Sequence, residues 1–375
     1  MKILLCLAGE HLPANTLPLE SPNIRPDVVY VAVTKGKKER GLELIEQIKA
    51  MGIKTECLDV PNENSLHDMN MLFENWLLTH DTDNIIVNIT GGNKIMSLAA
   101  YQVFSGFGFR CFYQTLQPNQ LVWLDDESVI SNIGEKIKLD RYLAQYQFKV
   151  KTKIELAEVP QTHKQYAHII FKELKKNYDS TCKIISKLNA HTAKKPLPQE
   201  ELKRFSFLPE EELFLQHLSH ETDIFKLKGK AITTDSENDR QLVNGGWLEV
   251  LCADLMRVME SVRDISVSVE IYKSTQRAKA STNQELDVMA MLKQKLLIAE
   301  CKTVNWKNTD DSSQAIYKLS ALSDIGGLNT KATFISLYNL SDATKTRAAE
   351  HNIHIICGKG IISLDTQLLN WGKSI

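Results

Sequence analysis

The stretch that decides the N-terminal fold is NIIVNITGGNK, residues 84–94. Its first half, Asn84–Ile89, is an apolar, β-branched run typical of a buried strand. The loop Thr90–Lys94 contains two glycines, which let the backbone approach a ligand closely, and a helical pattern follows it. Asn93 or Thr90 can cap that helix, and the free N–H groups at its start favour an anion such as phosphate. The stretch predicts a strand-to-helix turn with a phosphate site, and a turn without any ligand stays the alternative.

The first 125 residues alternate β-branched runs with helical stretches on both sides of this loop. Such βαβα order predicts an α/β fold with a mostly parallel sheet covered by helices. Ligands of these sheets bind beyond the carboxyl ends of the strands, so we expect a site at the loops after Leu7, Val33 and Ile89. The predicted strands are Lys2–Leu7, Val28–Thr34, Thr55–Asp59, Asn84–Ile89, Arg110–Thr115 and Leu121–Leu124, and the predicted helices are Lys38–Met51, Ser65–His80 and Lys94–Gly106.

Composition and charge exclude several classes of protein. The chain has 375 residues, 43% of them hydrophobic and 24% charged, which is typical of a globular protein with two or three domains. Its apolar runs are far shorter than the ~20 residues of a membrane-spanning helix, so we expect no membrane partner. Seven scattered cysteines without a C-x-x-C pair indicate reduced thiols in a cytoplasm, and they argue against a zinc ribbon.

From about residue 128 the strand pattern weakens, and helical spacing dominates from Gln161. We therefore predict an α/β domain over residues 1–140, a helical connector over 141–221 and a second α/β domain over 222–375. The connector is either a plain helical segment or a small winged-helix-like module. The predicted elements of the last domain are a strand Ile224–Ala231, a helix Gly246–Glu260, strands Ser266–Tyr272, Leu286–Leu292 and Leu296–Lys302, a helix near Ser313–Ser323, a strand Lys331–Leu337, a helix Ala343–His351 and a strand Ile353–Cys357.

The strongest chemical signal in the last domain is ELDV, residues 285–288, followed by ECK, residues 300–302. If Lys293-Gln294 forms a two-residue hairpin turn, Asp287 lies directly opposite Glu300 on the neighbouring antiparallel strand. Facing side chains in such a pair have Cβ atoms ~5 Å apart, and two like charges there are destabilising. A cation is therefore expected between the two carboxylates. The turn itself lacks the Asn and Gly that two-residue hairpins favour.

Carboxylate oxygens at the end of a sheet suit Mg²⁺ or Mn²⁺, so Asp287 and Glu300 are the predicted metal ligands. Strand alternation turns the side chain of Cys301 to the other face, and only its backbone carbonyl would join the metal shell. Lys302 is placed to orient or deprotonate the attacking water and to offset charge on a phosphate. Glu249, on the preceding helix, adds a metal or water contact. An ordinary solvated sheet face remains the alternative.

This order resembles the PD-(D/E)xK, restriction-endonuclease-like nucleases, which have a helix with a glutamate, a strand with an aspartate, a strand with E-x-K and a further helix. The Pro-Asp of the family's name is replaced here by Leu286-Asp287. The resemblance implies phosphodiester hydrolysis, with Asp287, Glu300, Lys302 and Glu249 as the catalytic residues. Three residues share one face of the following helix by their spacing and are predicted to approach the same site: Gln314, Tyr317 and Lys318.

The loop of the first domain carries a second resemblance. Asn88–Met96, NITGGNKIM, resembles the N-x-T-G-G-[TN]-K-x-M signature of CARF domains, the Rossmann-like sensors of CRISPR-associated proteins. CARF domains dimerise and bind cyclic oligoadenylate across their two-fold axis. The resemblance implies a further contact from the loop after the first strand, with Asn15 and Thr16 nearby. The implied ligand-binding residues are Ala8, Gly9, Glu10, Thr90, Gly91, Gly92, Asn93, Lys94 and Met96.

A CARF domain, a connector and a PD-(D/E)xK domain in one chain are similar to the Card/Can family of CRISPR ancillary nucleases. The resemblance implies a homodimer that binds cyclic tetra-adenylate, made by a type III CRISPR complex, and then cuts single-stranded RNA, DNA or both with Mn²⁺ or Mg²⁺. The alternative hypothesis is a CARF-type transcription regulator that binds duplex DNA without catalysis. Because the net charge is only −1, a nucleic acid needs a local basic surface, for which the candidates are Lys228, Lys230, Lys273, Arg277 and Lys279.

Overall fold

The computed structural model of the chain divides into two compact units, Met1–Phe148 and Lys149–Ile375. It describes residues 1–80, 84–115, 120–126, 130–132, 137–195, 198–228, 231–273, 284–305 and 311–375. Each unit has its own sheet and its own buried core. Within the described ranges, no helix combines the length and the apolar character that crossing a membrane requires.

The N-terminal unit is built on a seven-stranded sheet. Its strands are β1 (Ile3–Leu7), β2 (Val28–Thr34), β3 (Lys54–Val60), β4 (Ile85–Asn88), β5 (Arg110–Thr115), β6 (Gln120–Trp123) and β7 (Ile130–Asn132). Its helices are α1 (Pro13–Thr16), α2 (Lys38–Ala50), α3 (Leu66–Leu78), α4 (Lys94–Gly106) and α5 (Leu139–Gln145). The strand order is β3-β2-β1-β4-β5-β6-β7. The first five strands are parallel to one another, and β6 pairs antiparallel with both β5 and β7.

The position of β1 decides where this unit offers a crevice. β1 pairs with β2 on one side and with β4 on the other, so the chain reverses its direction of travel across the sheet at this point. Loops leaving the two strands on either side of such a reversal diverge and open a crevice at the carboxyl end of the sheet. The glycine-rich loop after β4 is one wall of that crevice, and the loop after β1 is the other.

The C-terminal unit contains the second sheet. Its strands are β8 (Phe148–Glu155), β9 (Lys226–Lys228), β10 (Ala231–Thr233), β11 (Val262–Lys273), β12 (Gln284–Leu292), β13 (Lys295–Lys302), β14 (Thr330–Ser336) and β15 (His354–Cys357). Its helices are α6 (Gln161–Lys176), α7 (Tyr178–His191), α8 (Gln199–Leu202), α9 (Pro209–Thr222), α10 (Glu237–Gln241), α11 (Trp247–Met256), α12 (Asp311–Ser323), α13 (Asp342–Glu350) and α14 (Leu364–Ser374).

Six of these strands form one sheet in the order β15-β14-β13-β12-β11-β8, and β9 pairs with β10 in a separate hairpin. β12 is antiparallel to both β11 and β13, whereas β14 and β15 run parallel to β13. The end of β13 therefore lies at the centre of the sheet, beside the start of β12.

The helices α6 and α7, which the sequence predicts as a connector, pack into the core of this second unit. Ile170 of α6 and Ile185 of α7 belong to the same buried cluster as Leu248 of α11. Val288 and Ala299, from the central strands, complete this part of the cluster. The helices therefore share the core of the C-terminal unit, while the division into three domains at residues 140 and 221 stays a prediction.

Several elements differ from the sequence-based prediction, and three of them bear on the C-terminal sheet and its site. β8 was not predicted, although its alternation of lysines with apolar residues has the period of a strand, because its neighbour in the sheet, β11, is more than 100 residues away. The predicted strand Ile224–Ala231 was wrong, since the chain folds back as the β9–β10 hairpin. The predicted helix Gly246–Glu260 is shorter, because the chain is kinked at Asn244 and Gly245 just before it and the helix spans only Trp247–Met256.

Candidate functional site

An open pocket of about 350 Å³ lies beyond the carboxyl ends of β1 and β4. The loops after β1, β2 and β4 all line it, which is where the strand order predicts a ligand site. The predicted ligand-binding residues all contribute to the lining with the exception of Lys94. The lining also includes residues that the sequence analysis did not single out, namely His11, Ala14, Thr34, Lys37 and Glu63. Lys37 could have been found, because it follows the second of the three strand ends that converge here.

Two asparagines hold the β1 and β4 loops together. Asn88 Nδ2 donates to the Ala14 carbonyl at 2.8 Å and to Asn15 Oδ1 at 2.9 Å. Asn15 Nδ2 donates in turn to the Leu7 carbonyl at 2.8 Å. Asn88 Oδ1 accepts from the Thr90 N–H at 3.0 Å. Both asparagines are fully buried, so breaking any of these bonds would leave a desolvated amide unpaired. The network therefore sets the separation of the two loops.

The two glycines of the β4 loop are required by this close packing. A Cβ on Gly91 would lie 2.0 Å from the Leu7 carbonyl oxygen. Gly92 has a φ of 71°, in the left-handed region that favours glycine. Asn93 then begins α4, since its Oδ1 accepts from the Met96 N–H at 2.9 Å. The start of α4 consequently lies at the pocket, where the partial positive charge of the helix end favours an anion.

Two charged residues of the pocket lining, Glu10 and Lys37, are paired with each other. Glu10 forms ion pairs with Lys37 and with Arg40, the second at 3.3 Å. These two cations, Lys37 foremost, hold the pKa of Glu10 below its usual range. Burial lowers the pKa of His11, which favours its neutral imidazole. An anion that enters the pocket would thus compete with the Glu10 carboxylate for the Lys37 ammonium.

The hairpin that carries the predicted acidic pair has the predicted register. Val288 pairs with Ala299, and Lys293–Gln294 is the two-residue turn. The first turn residue has a φ of 54°, so a left-handed lysine takes the place of the expected Asn or Gly. Continuing the same register by one residue places Asp287 opposite Glu300, at the point where the strand ladder ends.

Lys302 lies between these two carboxylates. Its Nζ is 3.0 Å from Asp287 Oδ2 and 2.6 Å from Glu300 Oε1. Asp287 Oδ2 also accepts from the Cys301 N–H at 2.7 Å. Asp287 and Glu300 are 8% and 2% exposed, so a charge on either acid needs a nearby cation. In this structure the chain itself supplies that cation, as the Lys302 ammonium.

Burial and neighbouring charge shift the pKa values of this cluster. Burial, and then the charge of Asp287, raises the pKa of Glu300. Burial also raises the pKa of Glu249 well above its usual range, and the charge of Asp287 adds to this effect. For Lys302 burial acts in the opposite direction, but the two carboxylates outweigh it and its pKa is raised. Lys302 is therefore an ammonium at neutral pH, and Glu249 lies close enough to the cluster to feel its charge.

The strand end has donors that fit a divalent cation. Glu300 Oε2 is buried and has no hydrogen-bond partner among the described residues. The Cys301 N–H points toward β12, where it donates to Asp287. In an antiparallel pair the N–H and the carbonyl of one residue face the same neighbouring strand, so the Cys301 carbonyl also lies on the β12 side of β13. Such oxygens are the donors that Mg²⁺ and Mn²⁺ prefer. Within the parts of the chain that the structure describes, no three His, Cys, Asp or Glu side chains are already grouped as a metal site.

The residues predicted on the following helix, α12, separate into different surroundings. Burial is the main influence on the pKa of Glu300, and the charge of Lys318 is close enough to oppose it. The Tyr317 ring lies under the Arg347 guanidinium instead, at 4.8 Å from ring centroid to Cζ. Gln314 is exposed. Only Lys318 of the three is thus shown to act on the acidic pair.

The predicted basic surface is described only in part. Lys273 is exposed at the end of β11. Three of the other candidates, and the side chain of Lys228, lie outside the described residues: Lys230, Arg277 and Lys279.

Comparison with models of protein families divides the chain in the same way as its two sheets. Residues 20–142 match the family described as the Card1 CARF domain, and residues 236–375 match the Card1-like endonuclease domain. The chain belongs to the Card1-like family. Its α/β fold, with an N-terminal CARF domain and a C-terminal endonuclease domain, is thereby confirmed. Residues 1–19 and 143–235 lie outside both matches, so the helices α6, α7 and α9 are not among the matched residues.

Three solved structures share the fold of this Card1-like chain. Protein VC1899 from Vibrio cholerae is 21% identical with a TM-score of 0.81, and the match covers 100% of this chain and 98% of that one. Can2 from Sulfobacillus thermosulfidooxidans, solved in complex with cyclic tetra-adenylate, is 23% identical with a TM-score of 0.76 and 99% coverage of each chain. A type III CRISPR defence DNA nuclease activated by cyclic oligoadenylate is 14% identical, with a TM-score of 0.55, over 89% of this chain and 45% of that one. A comparison with curated proteins gives no match.

Proposed function

We propose that this chain is a metal-dependent nuclease that cyclic tetra-adenylate activates and that cuts single-stranded RNA, DNA or both in type III CRISPR defence. The proposal rests on the charged side chains at the end of β13 in the endonuclease domain. There an ammonium lies within 3.0 Å of two buried carboxylates, one of which keeps an unpaired oxygen. Buried charges of this kind are costly, and they cluster where chemistry is done.

The pocket of the CARF domain is the proposed activator site. It combines the start of α4, backbone groups of two glycines and Lys37, all of which suit the phosphates of a cyclic oligonucleotide. Can2, which matches this chain over nearly its whole length, was solved with cyclic tetra-adenylate. This likeness supports the ring size that we propose for the activator.

We further propose that two copies of the chain share the activator. A cyclic ligand with two-fold symmetry suits an isologous interface, because each protomer offers the same loops. The helix α4, which begins at the pocket, exposes Leu98 and Tyr101 one turn apart, and such an apolar pair is typical of an interface. Leu98→Asp should convert a dimer into a monomer in light-scattering measurements, whereas Leu42→Asp on α2 should not. A wild-type monomer in the presence of activator would contradict this arrangement.

In the endonuclease domain, Asp287, Glu300 and the carbonyl of Cys301 are the proposed holders of Mn²⁺ or Mg²⁺. A bound ion supplies Lewis-acid stabilisation of the charge that develops on the scissile phosphate. The Lys302 ammonium adds a second positive charge at the same place and orients the attacking water. Glu249, near the cluster on α11, is the proposed further contact for that water. The PD-(D/E)xK resemblance and the geometry of the strand end support this assignment together.

The test is cleavage of end-labelled single-stranded RNA and DNA by the full chain, with Mn²⁺, in the presence and absence of cyclic tetra-adenylate. We expect cleavage only when both are present, and none after chelation of the metal. Glu300→Ala should abolish cleavage, and Glu270→Ala, on the neighbouring strand β11, should leave it intact as the matched control.

Each part of the proposal has its own contrary result. If Glu300→Ala cuts as fast as the wild-type chain, the active site lies elsewhere. If the rate of cleavage is the same with and without cyclic tetra-adenylate, the proposed sensor role is wrong. Sequence-selective retention of duplex DNA without cleavage would favour the transcription regulator instead.

A further inference from the structure

The residue that follows Lys302 joins three elements beside the proposed nuclease centre. Thr303 Oγ1 accepts a hydrogen bond from Asn189 Nδ2, on the last turn of α7, at 3.1 Å. Gly245, just before α11, packs so closely that a Cβ there would lie 2.4 Å from the same Oγ1. Thr303 is thus held between α7 and the entrance to the helix that carries Glu249.

The chain is irregular where these elements meet. The chain is kinked between α10 and α11, where Asn244 and Gly245 have non-helical backbone angles, and the φ of Gly245 is 113°, which is open to glycine but strained for other residues. The segment between α10 and α11 is also packed firmly, because Leu188 of α7 lies in the same buried cluster as Leu242 and Val243.

The hydrogen bond itself is shielded from water. Thr303 is only 7% exposed, and Asn189 Oδ1 is buried without a hydrogen-bond partner among the described residues. Asn189 Nδ2 therefore donates to Thr303, while Asn189 Oδ1 has no donor to accept from, which costs free energy. A side chain that only filled space would not need an amide here.

We propose that Asn189 and Thr303 are positioning residues of the nuclease centre. This inference rests on the proposed function. By holding the backbone after β13, they fix the direction from which Lys302 and Glu300 face Asp287, without touching the reacting atoms. Asn189 lies outside both matched ranges, so on this proposal the nuclease centre depends on a residue beyond the range that matches the endonuclease domain. Contacts that orient a catalytic or ligating residue are typically worth about 10- to 100-fold in activity or metal affinity.

The experiment compares variants that remove one end of the bond at nearly constant volume. Thr303→Val removes Oγ1, Asn189→Leu removes the donor, and Thr303→Ser retains the hydroxyl. In the full chain with saturating activator and Mn²⁺, we expect kcat to fall about 10- to 100-fold for the first two variants, with KM for the oligonucleotide unchanged. Thr303→Ser should restore most of the rate. The double variant should lose no more than Asn189→Leu alone, because that substitution already removes the donor of the bonds to Thr303 Oγ1 and to the Thr303 carbonyl.

The second readout is independent of cleavage. Titration of Mn²⁺ against the unfolding temperature should show weaker metal affinity for Thr303→Val and Asn189→Leu. Thr181→Val is the matched control, since it lies on α7 and its hydroxyl bonds within the helix, to the Asn177 carbonyl at 2.7 Å. It should change neither readout. If one variant fails to fold in the metal-free measurement, the variant at the other end of the bond decides.

Two results separate this inference from the function on which it rests. Wild-type kcat and wild-type metal affinity for Thr303→Val and Asn189→Leu, beside an inactive Glu300→Ala, would overturn the positioning role and leave the nuclease centre intact. An active Glu300→Ala would show that the nuclease centre itself is misplaced.

Discussion

In the CARF domain the two loops that form the pocket are held together by buried neutral amides and backbone carbonyls, whereas the end of β13 brings together two carboxylates and an ammonium. Asn15 and Asn88 form a network in which each amide has a partner. Asp287 and Glu300 share Lys302 between them. One region therefore depends on how closely two loops can pack. The other depends on the balance of buried charge, and the two should respond to different perturbations.

Lys302→Met should have the largest effect on the charged region. Loss of the positioned amine is expected to lower single-turnover cleavage about 10²- to 10⁴-fold. Removing one partner of a buried ion pair typically costs about 3–5 kcal/mol, because the remaining charges are left uncompensated. Thermal unfolding without metal should show this loss, and Mn²⁺ should restore part of it. Lys295→Met, at the opposite end of β13, is the control. Unchanged cleavage by Lys302→Met would mean that its charge is structural only.

Gly91→Ala tests the packed region. Its new Cβ would lie 2.0 Å from the Leu7 carbonyl oxygen, so the β1 and β4 loops must separate. Overpacking of this kind costs about 1–3 kcal/mol, and we expect activator binding to be lost as well. Unfolding temperature and calorimetric binding measure the two effects. Gly106→Ala, in the same helix–loop unit with open space around it, should be tolerated. Normal activator binding by Gly91→Ala would show that the loop spacing does not control the pocket.

The charged region should also make stability depend on pH. The pKa values of Glu249 and Glu300 are raised from 4.5 in the folded protein, so folding binds their protons more tightly. The resulting stability is present below the unfolded value and is lost as the pH rises through the folded values. We expect metal-free Glu249→Gln to gain unfolding temperature relative to the wild type at alkaline pH, with the gain shrinking toward pH 4.5. Parallel curves for the two proteins would contradict this.

Glu10→Gln should have the smallest effect, at the border of the packed region. Glu10 is exposed and pairs with Lys37, so an anionic activator competes with a weak surface ion pair. Releasing Lys37 should tighten binding of cyclic tetra-adenylate by about two- to fivefold. Glu46→Gln, which alters an exposed pair with Lys49 on α2, controls for net charge. Weaker binding by Glu10→Gln would instead indicate that Glu10 contacts the activator directly.

Local signals account for what could be predicted from the sequence. The alternation of strands and helices predicts the parallel sheet, and Asn88–Met96 is contiguous, so strand, loop and helix cap appear in one window. The position of Asp287 opposite Glu300 could be predicted because residues at equal sequence distance from a two-residue hairpin turn face each other. Lys302 was predicted beside the pair, but its place between the carboxylates required the coordinates.

Contacts between distant segments could not be predicted in this way. β8 joins the C-terminal sheet beside β11, which is more than 100 residues away, and the bond from Asn189 to Thr303 spans 114 residues. The sequence around β8 and the sequence around Asn189 contain no local pattern that indicates which distant segment each one contacts. The same holds for the Glu10–Lys37 pair, whose members belong to loops after different strands.

Neighbouring residues within one or two elements encode the strand-to-helix loop at Gly91-Gly92, the register of the acidic hairpin and the family resemblance that both carry, so all three could be predicted from the sequence. The side chain that neutralises the buried carboxylates and the helix that contacts the end of β13 became visible only in the folded chain. Those outcomes depend on burial and on contacts between segments far apart in the chain. The desolvation of the carboxylates and the packing around them arise from tertiary contacts between these segments, which no local sequence window contains.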